Sequence, residues 1–239
     1  HVFPGTAAFL QAKLGLETTP SMDVRCQCSG FIYAISTARA FIQTGQYKKV
    51  LVVGSEVQSP VLDFTTRGRD MAVLFGDGAG AVVLEACDDH STNAILSTVL
   101  HSQGEFAQKL WLEKPGTANG PWMLPDPNDV RHFPFMDGKF VFKNAVVRLE
   151  QVVREGLEKA NCKLEEVKHF LFHQANLRIN EFVAKTMGID SEKVHNNIQK
   201  YGNCSAASIP ILLAECVAEK KIKSGDTVCL AAFGAGFTW

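Results

Sequence analysis

One cysteine stands where a short extended run turns directly into a helix. The run Asp23-Val24-Arg25-Cys26-Gln27-Cys28-Ser29-Gly30-Phe31 is followed by apolar and small residues at helical spacing, with Gly45 as a stop. Cys28 is therefore expected at or beside a helix N-terminus. The unpaired N–H groups and the positive dipole end of such a terminus lower the pKa of a thiol. The pattern predicts a nucleophilic thiolate that attacks acyl groups.

Two other interpretations of this segment stay open at the level of the residues. A lone cysteine is often a small buried thiol that only packs between a strand and a helix. Cys26 and Cys28 also form a Cys-x-Cys pair, but no second ligand cluster with zinc-like spacing accompanies them. We therefore predict no metal site and interpret Cys26 as a packing residue.

Composition excludes several classes of protein. A net charge of −1 argues against a nucleic-acid binder held mainly by phosphate contacts. No run of about 18 apolar residues is present, which argues against a membrane span. The seven cysteines are odd in number and lie in apolar contexts, as is typical of reduced thiols in a cytoplasmic protein.

The elements around Cys28 follow from apolar periodicity. A helix is expected over 5–14 and the Cys28 helix over 31–44, and the apolar run at 50–54 is typical of a buried parallel strand with a polar end. The strands expected in this part are 22–25, 50–54, 71–75, 80–85 and 94–100. The glycines over 76–80 precede a β-rich run and no helix, which favours close backbone packing over phosphate binding.

The chain divides into two α/β parts joined by an irregular segment. Prolines and glycines over 113–138, together with Trp122, mark the connection, so the predicted units are 1–112, 113–138 and 139–239. The last unit is expected to hold an amphipathic helix over 140–160, a strand over 168–172, helices over 177–187 and 206–219, and a strand over 227–232.

A coarse internal repeat relates the two parts. Cys28-Ser29-Gly30 leads into a helix and a buried strand, and Cys204-Ser205-Ala206 does the same. This spacing predicts two halves built from one unit and packed as a pseudo-symmetric pair. A ligand site is expected at their interface.

Four motifs in one order make the chain resemble the β-ketoacyl-acyl-carrier-protein synthase III family of condensing enzymes. They are Cys28-Ser29-Gly30-Phe31, His173-Gln174-Ala175-Asn176, Gly202-Asn203-Cys204-Ser205 and Phe233-Gly234-Ala235-Gly236. The resemblance implies a thiolase-like α/β fold of two pseudo-symmetric halves in five layers, usually as a homodimer. Compared with the family pattern, the N-terminal half is expected to be incomplete, lacking the first roughly eighty residues, and the last strand to be absent.

The resemblance implies a catalytic triad of Cys28, His173 and Asn203. Cys28 would attack an acyl-coenzyme A primer, while His173 and Asn203 would stabilise the enolate from malonyl-acyl carrier protein. The backbone N–H groups of Cys28 and Ala235 would form the oxyanion hole. Taken alone, His173 is equally typical of a structural histidine at a strand end, and Asn203 of a turn residue or helix cap.

Substrate contacts are also implied by position in the family. Arg67, Arg178 and Asn176 would meet the coenzyme A or phosphopantetheine moiety, and Phe3 would reach across a dimer into the partner's acyl pocket. Arg178 and Lys185 would dock the acidic carrier protein. No cofactor is expected, because the coenzyme A thioester is itself a substrate. Solvated surface arginines are the alternative for Arg67 and Arg178.

Three functional hypotheses remain at this stage. The first is initiating condensation in fatty-acid synthesis. The second keeps the fold and triad for acyl transfer or condensation in secondary metabolism. The third is a non-catalytic, partner-dependent fragment, because the 239 residues are expected not to fold alone into an active monomer.

Overall fold

The computed structural model describes residues 3–88, 93–114 and 128–239. Within these residues the α-helices are α1 Thr6–Lys13, α2 Gly30–Gln43, α3 Arg69–Ala72, α4 Gly138–Lys159, α5 Leu177–Met187, α6 Ile198–Tyr201 and α7 Ser208–Ala218. The strands are β1 Lys49–Glu56, β2 Gly78–Glu85, β3 Leu110–Trp111, β4 Phe135–Met136, β5 His169–Phe172 and β6 Val228–Ala231.

Strand pairing differs between the two parts of the chain. β5 and β6 are parallel, with Phe172 opposite Ala231. β1 and β2 are antiparallel over eight residue pairs, and Leu51 on β1 is 45% exposed. The expectation that 50–54 forms a buried parallel strand is therefore wrong about direction, since an apolar run does not specify the direction of its partner. It is right about burial for one face only, because Val52 is 4% exposed and Leu51 faces solvent.

Three other strands expected in the first part are absent from the described residues. Residues 22–25 and 94–100 form no strand. The 71–75 run is divided, because α3 takes Met71 and Ala72 and only Phe75 forms a parallel bridge, with Asn203. Met and Ala are good helix formers, so local propensity favours the helix over a short strand with no long partner.

The long helices of the second part are confirmed. Asp137 caps α4 by accepting a hydrogen bond from the Phe140 N–H, and Asn176 caps α5 by accepting one from the Arg178 N–H. α5 ends at Gly188, whose φ of 70° is a left-handed stop that glycine adopts readily. Local signals were sufficient for α5, because a cap and a stop bound its amphipathic stripe.

The internal repeat is visible as two matching turns. A 3₁₀ turn over Gln27–Ser29 leads into α2, and one over Ser205–Ala207 leads into α7. Each turn begins with a non-glycine residue at positive φ, 39° in Gln27 and 46° in Ser205. The match therefore places Cys28 opposite Ala206, two positions from the Cys204 that the sequence motif suggested.

The glycines over 76–80 serve close packing, as expected. A Cβ on Gly80 would lie 2.8 Å from the Ile211 backbone nitrogen on α7, so β2 can approach that helix only without a side chain. The three-unit division of the chain stays a prediction, and 115–127 of its connecting segment lie outside the described residues. No helix in the described ranges is long and apolar enough to cross a membrane.

Replacing Leu171 by alanine tests the core around β5. Leu171 is fully buried and packs with Leu212, Cys216 and Ile222. We expect Leu171→Ala to lower the free energy of unfolding by about 2–5 kcal/mol, because a buried cavity is left behind. Val217→Ala, on the exposed side of α7, is the control and should change it by less than about 0.5 kcal/mol. Urea denaturation measures both, and equal small changes would contradict the assignment of β5 to the core.

Candidate active site

The two parallel strands β5 and β6 end at the same edge of their sheet, and each is followed there by one of the predicted motifs. β5 ends at Phe172, directly before His173, and β6 ends at Ala231, shortly before Gly234. The His173 N–H donates to the Ala231 carbonyl at 2.8 Å, which extends the ladder by one step. Because carboxyl ends of parallel strands meet at the same edge, His173 and the Gly234 turn emerge side by side.

Cys28 lies in the 3₁₀ turn that opens directly into α2, as the sequence predicts. Its side chain is buried, and its sulfur accepts a hydrogen bond from the Ser205 hydroxyl at 3.7 Å. The residue thus sits where the two matching turns pack against each other.

The expected lowering of the Cys28 pKa is wrong. Burial raises the pKa of the Cys28 thiol to about 11, and the nearby Glu56 carboxylate adds to the rise. The Ser205 hydroxyl and the N–H groups of Ala235 and Cys28 lower the pKa without reversing the shift. Loss of water around the sulfur therefore outweighs the helix terminus, so the resting thiol keeps its proton at pH 7.

The turn at Gly234 lies against the nucleophile. A Cβ on Gly234 would lie 2.5 Å from the Cys28 Cβ and 3.1 Å from its Sγ, so only glycine permits this approach. The approach brings the Ala235 N–H to the sulfur, where it acts on the same atom as the Cys28 N–H. These are the two donors predicted for the oxyanion hole, and that role stays a prediction.

His173 is a buried imidazole without a hydrogen-bond partner among the described residues. Its side chain is 3% exposed, and neither Nδ1 nor Nε2 has a partner there. Burial lowers the pKa of His173 to about 4, so the ring is neutral at pH 7. A neutral ring has one N–H to donate, and a buried unpaired donor is suited to an incoming oxygen.

Asn203 is held by its backbone and by one end of its amide. Its N–H donates to the Leu74 carbonyl at 2.7 Å, and its carbonyl accepts from the Gly76 N–H at 3.0 Å. Its Oδ1 accepts from the Ser205 N–H at 2.8 Å. With the oxygen engaged, the amide NH₂ has no hydrogen bond in the described part of the chain and is available to a ligand.

The three residues line one cavity. Cys28, His173 and Asn203 contribute to a pocket of about 280 Å³ that is otherwise mostly apolar. Val141, Ala145 and Leu149 of the α4 stripe form part of its wall. The structure therefore brings the sequence-predicted triad together in a pocket of the size and polarity of a small-molecule site.

The other predicted contacts are distributed around this cavity. Asn176 lines it. Arg67 lines a neighbouring cavity of about 370 Å³, and Met136 belongs to the walls of both. Arg67 pairs with Asp63 at 2.5 Å and lies over the Phe133 ring at 5.1 Å, so its guanidinium is already oriented.

Three of the residues predicted to contact substrates or partners line neither of these two cavities. Arg178 and Lys185 are exposed on α5, seven positions apart, which places them on one face about 10 Å apart along the axis. Phe3 is 93% exposed. Their predicted roles concern a carrier protein and a second copy of the chain, neither of which is part of this structure.

Sequence reasoning did not single out two residues beside the nucleophile, Ser205 and Glu56. In the sequence, Ser205 stands out only as the last residue of the Gly202-Asn203-Cys204-Ser205 motif, and Glu56 is only a polar residue after the apolar run at 50–54. Their proximity to Cys28 depends on packing between the two halves, which no local pattern reports. Among the described residues, no group of three His, Cys, Asp or Glu side chains is placed to hold a metal ion.

Comparison with known proteins gives one consistent family. The models described as 3-oxoacyl-[acyl-carrier-protein] synthase III and its C-terminal part match residues 22–104 and 157–239. A β-ketoacyl-[acyl-carrier-protein] synthase III of Aquifex aeolicus is 43% identical over 99% of this chain and 70% of its own length. One from Chlorobium chlorochromatii is 39% identical over 99% of this chain and 71% of its own length.

A solved structure agrees with these matches. The crystal structure of 3-oxoacyl-[acyl-carrier-protein] synthase III from Aquifex aeolicus superposes with a TM-score of 0.89, covering 100% of this chain and 71% of that one. The fold is therefore the thiolase-like α/β fold, and the protein is an acyltransferase of that fold. The chain belongs to the 3-oxoacyl-[acyl-carrier-protein] synthase III family.

Gly234→Ala tests the contact between the Gly234 turn and Cys28. The new Cβ overlaps the Cys28 side chain, so the turn or the nucleophile must shift. We expect acylation of Cys28 by acetyl-coenzyme A to slow by about 100-fold, the effect of a displacement near 1 Å. Gly104→Ala is the control, since its Cβ meets nothing within 4 Å. Rapid-mixing measurement of coenzyme A release gives the acylation rate of each protein. An unchanged rate in Gly234→Ala would refute the contact.

The pKa of His173 predicts a pH dependence of stability. Between the ordinary pKa of histidine and about 4, the unfolded chain binds a proton that the folded protein does not. Stability is therefore full above about pH 6.5 and falls by about 3 kcal/mol as the pH drops to 4. Urea denaturation of the parent and of His173→Gln between pH 7.5 and 4.5 isolates the contribution of His173 to the change in the free energy of unfolding with pH. Parallel curves for the two proteins would show that His173 is not a buried neutral base.

Proposed function

We propose that the protein catalyses decarboxylative Claisen condensation of an acyl-coenzyme A primer, such as acetyl-coenzyme A, with malonyl-acyl carrier protein. The product is a 3-oxoacyl-acyl carrier protein, which initiates fatty-acid biosynthesis. One observation carries the proposal: a buried thiol, a neutral imidazole that bonds none of the described residues, and an available amide NH₂ line the same cavity. Membership of the family supports it.

The first half-reaction is acylation of Cys28. The sulfur attacks the thioester carbonyl, coenzyme A leaves, and an acyl-enzyme remains. Negative charge develops on the carbonyl oxygen, where the N–H groups of Cys28 and Ala235 act as the oxyanion hole. One such donor typically contributes about 3 kcal/mol to the transition state.

The second half-reaction is loss of carbon dioxide from the malonyl group. His173 and Asn203 each donate one hydrogen bond to the thioester oxygen and stabilise the enolate that forms. The neutral state of His173 suits this role, since a neutral N–H donates without giving up its proton. The enolate carbon then attacks the acyl group on Cys28 and releases the product. We propose that no cofactor takes part.

The remaining predicted residues bind the parts of the substrates that lie away from the reacting thioester. Asn176 meets the pantetheine arm in the cavity, and Arg67 in the neighbouring cavity meets the coenzyme A phosphates, since guanidinium matches phosphate geometry. Arg178 and Lys185, exposed on one face of α5, dock the acidic carrier protein.

We also propose that the active particle is a cytoplasmic homodimer. Phe3 supports this, because a phenylalanine that is 93% exposed gains from burial against a partner. In the dimer this ring reaches the partner's acyl pocket. The cytoplasm suits the seven free cysteines of the chain.

Substitution of the triad tests the function by separating the half-reactions. Cys28→Ser should abolish acyl-enzyme formation, because a hydroxyl is a far weaker nucleophile than a thiol at neutral pH. His173→Ala and Asn203→Ala should slow carbon dioxide release from malonyl-carrier protein by about 100-fold or more while leaving Cys28 acylation within several fold. Labelled malonyl and acetyl groups allow both rates to be measured in one preparation.

Asn144→Ala is a matched control, because the Asn144 amide bonds the Phe140 carbonyl of its own helix and no other described residue. Equal loss of both half-reactions in the His173 and Asn203 variants would assign them a structural role. Acylation of the parent without carbon dioxide release would replace condensation by simple acyl transfer.

A further inference from the structure

The Cys28 sulfur contacts a buried hydroxyl, that of Ser205. Ser205 is 5% exposed, and its Oγ lies 3.7 Å from the Cys28 Sγ within hydrogen-bonding geometry. The contact joins the two matching turns of the pseudo-repeat. It lies apart from His173, whose ring nitrogens bond neither residue.

The same hydroxyl reaches a half-buried carboxylate. The Ser205 hydroxyl lies close enough to Glu56, at the end of β1, to lower the pKa of that carboxyl, and the Ala206 N–H donates to the Glu56 Oε1 at 3.4 Å. β1 is pressed against this turn, since a Cβ on Gly54 would lie 2.5 Å from the Ala206 carbonyl oxygen. Glu56, Ser205 and Cys28 therefore form a continuous line of polar groups.

The Ser205 backbone is held in an unfavourable conformation at this point. Its φ of 46° lies in the left-handed region, which a serine adopts at a cost. The Asn203 Oδ1 secures the conformation by accepting the Ser205 N–H at 2.8 Å. The hydroxyl donates its one proton to the Cys28 sulfur in this structure. A hydroxyl also has lone pairs, so it can turn its proton toward Glu56 when its oxygen accepts the thiol proton.

Acylation needs a base that the described triad lacks. The Cys28 thiol holds its proton at pH 7, and neutral His173 has a pKa of about 4, too low to take it efficiently. Burial raises the pKa of Glu56, which makes this carboxylate a stronger base than a solvent-exposed glutamate. Among the described residues, Asp77 and Cys204 are further ionisable groups on this side. Burial raises the pKa of Cys204, and the Asp77 and Glu56 carboxylates raise it further.

We propose that Ser205 and Glu56 relay the proton away from Cys28 as the sulfur is acylated. The S–H proton moves to the Ser205 Oγ while the Ser205 O–H proton moves to a Glu56 carboxylate oxygen. The sulfur electron pair forms the bond to the thioester carbonyl carbon, and the bond from that carbon to the coenzyme A sulfur breaks. Coenzyme A leaves as a thiolate that takes a proton from water, and Glu56 returns its proton to solvent. Ser205 is a catalytic residue by this account, and Glu56 acts through it.

The inference rests on the proposed function for its acyl donor, and alkylation by iodoacetamide tests it without one. Alkylation requires the Cys28 thiol to lose its proton but requires no acyl-coenzyme A site. Glu56→Gln keeps an acceptor for the Ala206 N–H but cannot take a proton. The loss of the Glu56 charge and the loss of the relay then predict opposite changes in the alkylation rate. Removing the Glu56 charge lowers the Cys28 pKa and speeds alkylation, whereas losing the relay slows it.

We expect Glu56→Gln to slow both alkylation and acetyl-coenzyme A acylation by about 100-fold at pH 7, the usual contribution of a positioned base. In the parent, the acylation rate should rise as Glu56 ionises and then level off with increasing pH. In Glu56→Gln it should keep rising with hydroxide concentration. Glu85→Gln on β2 is the control, because Glu85 is exposed and its ion pair with Lys49, at 2.9 Å, lies on the surface.

Ser205→Gly removes the hydroxyl and tolerates the positive φ, so folding is preserved better than with alanine. It should match Glu56→Gln, and the double variant should be no slower than either, because the two residues act as one unit. Ser208→Ala is its control, since the Ser208 hydroxyl is buried without a hydrogen-bond partner in the described residues.

Several outcomes would overturn the relay. They are faster or unchanged alkylation in Glu56→Gln, additive losses in the double variant, or a loss that Ser208→Ala and Glu85→Gln share. A merely structural role of Glu56 would lower the melting temperature without changing the pH profile. If the parent alkylates normally but takes no acetyl group, the proposed function fails while the alkylation comparison still decides the relay.

Discussion

The structure depends on the contact between the Gly234 turn and Cys28. A glycine at this position lets the end of β6 reach the start of α2 with less than a side chain's width between them. The contact fixes the nucleophile from one side while Ser205 fixes it from the other. His173 follows from the same constraint, because β5 is parallel to β6 and ends at the same edge. The site is thus positioned by regular elements rather than by loops alone, which gives it the rigidity that catalysis requires.

Burial decides the electrostatics of the cavity. The same loss of water raises the pKa of Cys28 and lowers that of His173, so the thiol and the imidazole are both uncharged at rest. An uncharged imidazole is a hydrogen-bond donor for a developing enolate, whereas an imidazolium in this place would be costly. The arrangement also leaves the thiol without a strong base in the triad. Glu56, which lies beyond Ser205, is the carboxylate proposed to take the thiol proton.

Local signals allowed part of this structure to be predicted from sequence. The bounds of α5 follow from the Asn176 cap and the Gly188 stop, and Cys28 at a helix start follows from the spacing after it. Strands at 22–25 and 94–100 were expected and are absent, because a strand exists only when another segment pairs with it. The direction of the Cys28 pKa shift and the presence of Glu56 beside Ser205 depend on packing between distant segments. The roles of Cys28, His173 and Asn203 came from four ordered motifs, since none of these residues identifies its chemistry alone.

The central claim is that Cys28 is the residue that carries the acyl group. Mass spectrometry of the protein after incubation with acetyl-coenzyme A, followed by peptide mapping, tests this most directly. The account predicts one acetyl group per chain, located on Cys28, and discharged when malonyl-carrier protein is added. An acetyl group on another of the seven cysteines, or on none, would contradict it.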